Sequence, residues 1–280
     1  MLAQESLQEG NVQAALQQLQ DKVRKDPADA KLRIFLFQLL SITGQWDRAL
    51  NQLNVVGELD DSALAMVTMY REALGCESFR AQVFQGKRTP LIFGEPEQWV
   101  AKMMQGLQLD AQGQHAQAQQ VRAEALDEAS ATGGTINGQT FEWIADADSR
   151  LGPILEAIIN GSYYWVPFNR ISQIDIEEPV DLRDMVWTPV HFTWSNGGQA
   201  VGIIPTRYAG SESSGDGLVQ LARKTDWLEM DQGDYAGLGQ RMLATDQQEY
   251  SLLEIRKITL HTAQGAQDAA AAQEAETEDG

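Results

Sequence analysis

Over the first 130 residues the apolar side chains recur at helical spacing. Leu32, Phe35, Leu36, Leu39 and Leu40 hold one face of a helix, and a longer period lies over that spacing. Gly10-Asn11-Val12, followed by Ala15, Leu16 and Leu19, returns 34 residues later as Gly44-Gln45-Trp46, followed by Ala49, Leu50 and Leu53. A weaker third copy, Gly113-Gln114-His115 with Ala118, lies two periods plus one residue after the second. In each copy the glycine permits a tight turn and the alanine five residues on permits close helix approach. Val12, Trp46 or His115 opens the second helix of a hairpin and packs back on the first. Pro27 closes the first copy, after a helix bounded by Asn11 and Asp26. Ser62 to Arg80 is helical in composition but lacks a turn signature.

A period of this length predicts a tetratricopeptide-like all-α helical stack over residues 1–130. Such stacks hold a peptide or helix on a concave surface. The pattern changes near residue 130: Ala129 to Gly138 is small and polar, and five of the seven tryptophans follow it. Asn137-Gly138, between Thr135-Ile136 and Thr140-Phe141, is a hairpin signal. Asp148 is expected to cap a helix with Leu151, Ile154, Leu155, Ile158 and Ile159 on one face, stopped at Asn160-Gly161. Strands are expected around Ile174 and Ile176, Val190 to Trp194, Val201 to Ile204, Trp227 to Met230 and Leu252 to Leu260. A short helix is expected in Gly217 to Arg223. Few helices among many strands imply a largely antiparallel, Trp-rich α+β domain over 131–261. Residues 262–280 are Ala/Gln-rich and acidic, and are expected to be a disordered tail.

Charge narrows the partners. A net charge of −19 on 280 residues repels phosphate backbones and anionic lipid, so nucleic acid and membrane surfaces are not expected partners. Val186 to Thr206 is uncharged but broken by Pro189, Asn196, Gly197, Gly198 and Gly202, which suits strands and a turn, not a bilayer span. Met1-Leu2-Ala3-Gln4-Glu5 opens no export signal, and Cys76 is the sole cysteine; the expectation is a cytoplasmic protein without disulfides or a cysteine zinc site.

Few residue patterns in the chain point to chemistry. His115, His191 and His261 share no ligand spacing, and no Gly-x-Ser-x-Gly elbow or phosphate loop occurs. Gly237-Leu238-Gly239 lacks the third glycine of a dinucleotide site. Glu142, Asp146 and Asp148 with Arg150 form either a cation or docking site or a local polar group around a helix cap. Arg183, Arg207 and Arg241 sit in an acidic, tryptophan-rich half, as a buried network or as scattered surface pairs. The expectation is a non-catalytic binding protein without cofactor or metal. The alternative is a hydrolase or small-ligand domain using Asp146, Asp148, Arg183 and Arg241.

Longer motifs carry a resemblance. Phe93-Gly94-Glu95-Pro96 with Trp99, Glu142-Trp143-Ile144-Ala145-Asp146-Ala147-Asp148-Ser149-Arg150-Leu151-Gly152-Pro153 and Tyr163 to Phe168 resemble the ImpE/TagJ (SciE) family. Asp181 to Asp184, Phe192-Thr193-Trp194, Pro205 to Tyr208 and Gly239 to Met242 continue it over roughly residues 1 to 260. The resemblance implies an accessory factor of type VI secretion that binds the N-terminal helix of the small sheath subunit. It also implies a link to the AAA+ ATPase that disassembles the contracted sheath, and it offers no catalytic residues. Candidate partner-binding residues are Trp46, Phe93, Trp99, Asp146, Asp148, Arg150, Arg183, Trp194, Arg207 and Arg241. The binding face is open between the helical groove and the Trp-rich half.

Overall fold

A computed structural model describes residues 2–230 and 233–261; the expected tail, 262–280, lies outside them. The helical half runs α1 (Leu2–Gln8), α2 (Val12–Lys25), α3 (Ala30–Ile42), α4 (Trp46–Leu59), α5 (Leu64–Phe84), α6 (Gln98–Ala111) and α7 (His115–Glu128). Gly10, Gly44 and Gly113 take φ of 77°, 66° and 73° at the three expected hairpin turns. The spacing alanines Ala15, Ala49 and Ala118 are fully buried. Asn11 caps α2 by accepting from the Ala14 N–H at 3.1 Å. The interval without a turn signature begins in a 3-10 turn, Asp61–Ala63, that runs into one unbroken helix, the 21-residue α5. His115 opens α7 but is half-exposed and bonds Asp110 at 3.1 Å, so it contributes little to packing.

Between α5 and α6 a short strand, β1 (Leu91–Ile92), crosses over and pairs parallel with β6 (Ser162–Pro167). The second half supplies β2 (Gly134–Ile136), β3 (Gln139–Phe141), β4 (Ile144–Asp146), β5 (Ile154–Ile159), β7 (Ile171–Ile176), β8 (Trp187–Trp194) and β9 (Gln199–Pro205). It ends in α8 (Gly217–Gln220), β10 (Thr225–Glu229), β11 (Tyr235–Gly239), β12 (Met242–Thr245), β13 (Glu249–Ser251) and β14 (Lys257–Leu260). Nine strands form a curved sheet in the order β1-β6-β5-β9-β8-β7-β14-β2-β3, antiparallel throughout except at β1. A small sheet β13-β12-β4 and the hairpin β10–β11 complete it. Asn137 and Gly138, at φ 50° and 84°, make the β2–β3 turn as expected. Of Leu252 to Leu260 only the end is a strand; Leu252–Glu254 is a 3-10 turn.

One expected element is wrong. No helix follows Asp148: residues 154–159 are the strand β5, and Asn160-Gly161 is its hairpin turn to β6, at φ 49° and 71°. All six β5 residues are buried because both faces of the sheet are covered. Ile154 and Ile158 join the core shared with the helices, whereas Leu155, Ala157 and Ile159 join the core enclosed by the curved sheet. With both faces apolar, the two-residue alternation of a strand disappears and the spacing of Leu151, Ile154, Leu155 and Ile158 imitates a helix. Asp148 accepts from the Arg150 and Gly237 N–H groups instead of capping a helix.

The helix-side core runs from Ala3 through α7 to Trp165, Trp187 and Ile203, so the two halves share apolar packing. Trp46 and Tyr70 lie against Trp187, with ring centroids 6.1 and 5.6 Å away. The second half also grips the ends of the repeats. Arg207 donates to the Ser41 and Ile42 carbonyls at the end of α3, at 3.2 and 2.8 Å, and to the Gln220 carbonyl at 2.5 Å. Arg223 donates to the Leu7 and Gln8 carbonyls at the end of α1, at 2.8 and 3.2 Å. Leu7 and Gln8 precede Ser41 and Ile42 by the 34-residue period. Two arginines therefore close equivalent helix C-termini in successive repeats, where the helix dipole and unpaired carbonyls favour a cation. A Cβ on Gly217 would lie 1.9 Å from the Gly10 carbonyl oxygen, so only glycine fits this contact.

Arg207→Met should remove the donor from the Ile42 and Gln220 carbonyls and cost about 2–4 kcal/mol of stability. Arg223→Ala, at a partly exposed site, should cost at most about 1 kcal/mol. Urea unfolding of both variants measures the difference, and equal midpoint shifts would contradict it.

Candidate functional site

The deepest polar feature is a chain of charges between the halves. Arg80 on α5 sends Nε to Glu156 Oε1 at 2.6 Å and Nη2 to Oε2 at 2.9 Å, a bidentate pair across the helix–sheet interface. Glu156, at the centre of β5, also accepts from Arg241 Nη2, and Arg241 Nη1 donates to Asp146 Oδ2. Arg241 Nε donates to the Pro205 carbonyl at 3.0 Å. Tyr163 Oη donates to Glu156 Oε1 at 2.5 Å and accepts from Trp165 Nε1 at 2.9 Å. Glu77, one turn before Arg80, accepts from Trp187 Nε1 at 2.9 Å. Glu156 and Arg241 are fully closed to solvent, and Arg80 and Asp146 nearly so.

Burial and pairing compete at each group. Burial alone would raise the Glu156 carboxyl, but the Arg80 and Arg241 guanidiniums hold it down to about 2. Burial lifts Asp146 to about 7 against the pull of Arg241, with the Asp148 carboxylate adding to the rise. Burial likewise raises Glu77.

The expected site residues do not converge. Asp146 and Arg241 are joined, but Asp148 is fully buried and bound to Arg150, with Arg150 Nε at 2.8 Å. Arg183 sits apart, its guanidinium 5.0 Å from the centroid of the Tyr70 ring and 2.9 Å from Asp181. Phe93 and Trp194 pack together at 4.0 Å, and Trp99 is buried with Nε1 on Glu97 at 2.9 Å. Arg207 is used on helix ends and Trp46 on Trp187. These side chains hold the fold together, and of the ten only Asp146 borders the main groove.

That groove, of about 490 Å³, lies between α7 and the segment 143–153. Gln119, Arg122, Ala123 and Leu126 present one face of α7; Ala129, Ala131, Ala145, Ala147, Gly152 and Ala244 pave much of the floor. Leu126 and Trp143 stand at its edges 47% and 40% exposed, large apolar groups left to water. Gly152 permits the approach of the two walls: at φ 54°, a Cβ there would meet Leu126 Cδ2 at 3.0 Å. Arg122 braces the far side, bonding Asp110 on α6 and Asp234 before β11 at 2.5 Å each. Sequence reasoning missed Arg122, Leu126, Trp143 and Asp234 as one surface. The signal present was Trp143 inside a long motif; its neighbour α7 lies in the weakest repeat copy.

Comparison with known proteins agrees with this architecture. The model of the family described as "ImpE protein" matches residues 138–259, and a tetratricopeptide repeat model matches residues 6–68. The chain is 48% identical over 260 residues to the type VI secretion system accessory component TagJ of Pseudomonas aeruginosa, covering 92% of this chain and 90% of that protein. The crystal structure of protein VPA1032 from Vibrio parahaemolyticus superposes with a TM-score of 0.86 at 25% identity, over 94% of this chain and 98% of that one.

The raised pKa of Asp146 gives a signed prediction. The folded protein retains this proton between about pH 4 and about pH 7, where the unfolded chain has released it. Acidification from about pH 8 to pH 5 therefore stabilises the fold through this group, on the order of 2 kcal/mol. Urea midpoints across that range should show this component lost in Asp146→Asn. A variant with the wild-type slope would contradict the assignment. Glu156→Gln, which leaves two buried guanidiniums short of a counter-charge, should cost about 3–5 kcal/mol at pH 7.

Proposed function

The chain belongs to the ImpE/TagJ family, and from that membership we propose that it is a non-catalytic adaptor of type VI secretion. In this reading it works in the cytoplasm, captures the N-terminal helix of the small sheath subunit, and links the sheath to the AAA+ ATPase that disassembles it. The groove between α7 and residues 143–153 is the capture site. The observation that carries this reading is that the Glu142–Pro153 motif, the longest stretch of family resemblance, lines an apolar groove beside an exposed face of α7. The turn edge of the helical stack is already in use. The first two repeat turns are occupied by the chain's own residues 207–223, and Trp46 packs on Trp187. Among the described residues no group of histidine, cysteine or carboxylate side chains could hold a metal, and no helix is long and apolar enough to cross a membrane.

Capture by the purified full-length chain of the small sheath subunit, with and without its N-terminal helix, tests the mechanism. Binding should vanish with the helix, and equal capture of both forms would reject it. Trp143→Ala, at an exposed position, should weaken binding by about tenfold or more, and unchanged affinity would remove this residue as an anchor. The ATPase link is tested separately: added protein should change sheath-stimulated ATP turnover, and no change at saturation would reject that part.

A further inference from the structure

The lining of the groove restricts what fits it. Its floor is mostly alanine, serine and glycine, with Thr132 and Pro153; the large apolar side chains Leu126 and Trp143 are at the edges, with Ile144 buried beneath. A floor of small residues leaves the volume to be filled by the incoming molecule, whose anchors must be large. The backbone of the floor is already used. β4 pairs with β12, the Asp146 N–H donates to the Gly152 carbonyl at 2.7 Å, and the Ala147 N–H donates to the Met242 carbonyl at 3.0 Å. An added strand would find few free partners there, whereas a helix arrives with its own backbone satisfied and offers a side-chain ridge to α7.

Charge restricts it further. Arg122 is taken by Asp110 and Asp234, Arg150 by Asp148, and Lys102 by Glu124 and Glu128. Asp127, next to Leu126, and Glu142, next to Trp143, are exposed, and their carboxylates have no ion-pair partner among the described residues. Asp246, which accepts from the Glu142 N–H at 2.7 Å, adds a third acid at the same edge, and that bond lowers its pKa. The cations near the groove are neutralised and the uncompensated charge at its edges is negative. A potential of that sign steers and orients a cationic partner, and disfavours a second copy of this −19 chain.

Resting on the groove as the capture site, we infer that its occupant is a basic amphipathic helix, with bulky apolar side chains on the small-residue floor and Lys or Arg flanking them to meet Asp127 and Glu142. The apolar anchors supply most of the affinity; the flanking cations supply rate and selectivity.

The test uses the full-length chain and three labelled synthetic peptides of about 18 residues, enough for about five helical turns. One carries a Leu stripe flanked by Lys, one the same stripe flanked by Glu, and one Lys flanks around an Ala stripe. In fluorescence anisotropy at roughly 50 mM salt the Leu/Lys peptide should bind at least about tenfold more tightly than either other peptide. Its advantage over the Leu/Glu peptide should shrink at roughly 0.5 M salt, where screening is short-ranged. The surface double variant Asp127→Lys, Glu142→Lys should reverse the preference, and Ala123→Trp, which fills the groove from an exposed position, should abolish binding of the Leu/Lys peptide. Equal binding of the Leu/Lys and Leu/Glu peptides overturns the charge assignment, and equal binding of the Leu/Lys and Ala/Lys peptides overturns the anchor assignment. The sheath subunit's N-terminal helix, run alongside, separates the two levels. If Ala123→Trp blocks that helix while the peptides show no preference, this inference alone fails. If that helix binds Ala123→Trp unchanged, the groove is not the capture site, and both readings fail together.

Discussion

The structure depends on how one carboxylate is kept charged inside a sheet. Glu156 lies mid-strand on β5, closed to water, and an isolated ionised carboxylate there would be untenable. Arg80 meets it from α5 and Arg241 from the loop before β12, so three distant parts of the chain must be in place before the site is neutral enough to bury. Removing any one partner leaves a buried charge, which makes the arrangement a specification of geometry more than a source of stability. Arg241 carries the constraint on to Asp146, at the edge of the groove, so the groove wall and the helical stack are set by one continuous series of ion pairs.

The same demand explains why the two halves are not a flexible pair. A helical repeat normally ends each hairpin in solvent, with its last carbonyls hydrated. Here the first two hairpins end in arginines from the second half, placed one period apart, and the turn glycines pack on residues 212–218. At the third turn a Cβ added to Gly113 would meet nothing within 4 Å. The repeat is thus used twice as an internal docking edge, and the hairpin α6–α7 is free to present a face of α7 outward.

The helical half is legible in the sequence because its information is local. A turn glycine, a spacing alanine and a cap recur within a few residues of one another, and each matches the structure at Gly10, Ala15 and Asn11. The sheet is legible only where one face meets water, as at Ile174 and Ile176 against Gln173 and Asp175 in β7. β5 is not, because the layer that covers its outer face includes α5, whose Arg80 precedes Glu156 by 76 residues. For Arg207 and Arg241, composition allows a buried network and scattered surface pairs equally, and the structure buries both. The sequence holds the charges but not the topology that brings Glu156 between Arg80 and Arg241.

The candidate groove fails to stand out for a related reason. Tryptophans and arginines are the natural binding candidates in a sequence, since those types dominate interface hot spots. They also dominate buried interfaces within a chain, and Trp187, Trp165, Arg80 and Arg241 are spent there. At the groove the surface is a floor of small residues with one tryptophan and one leucine at its edges, a pattern with little sequence contrast. With many of the aromatic and guanidinium groups taken up in joining the halves, this groove is defined by its small residues. Its recognition properties follow from what those residues leave room for.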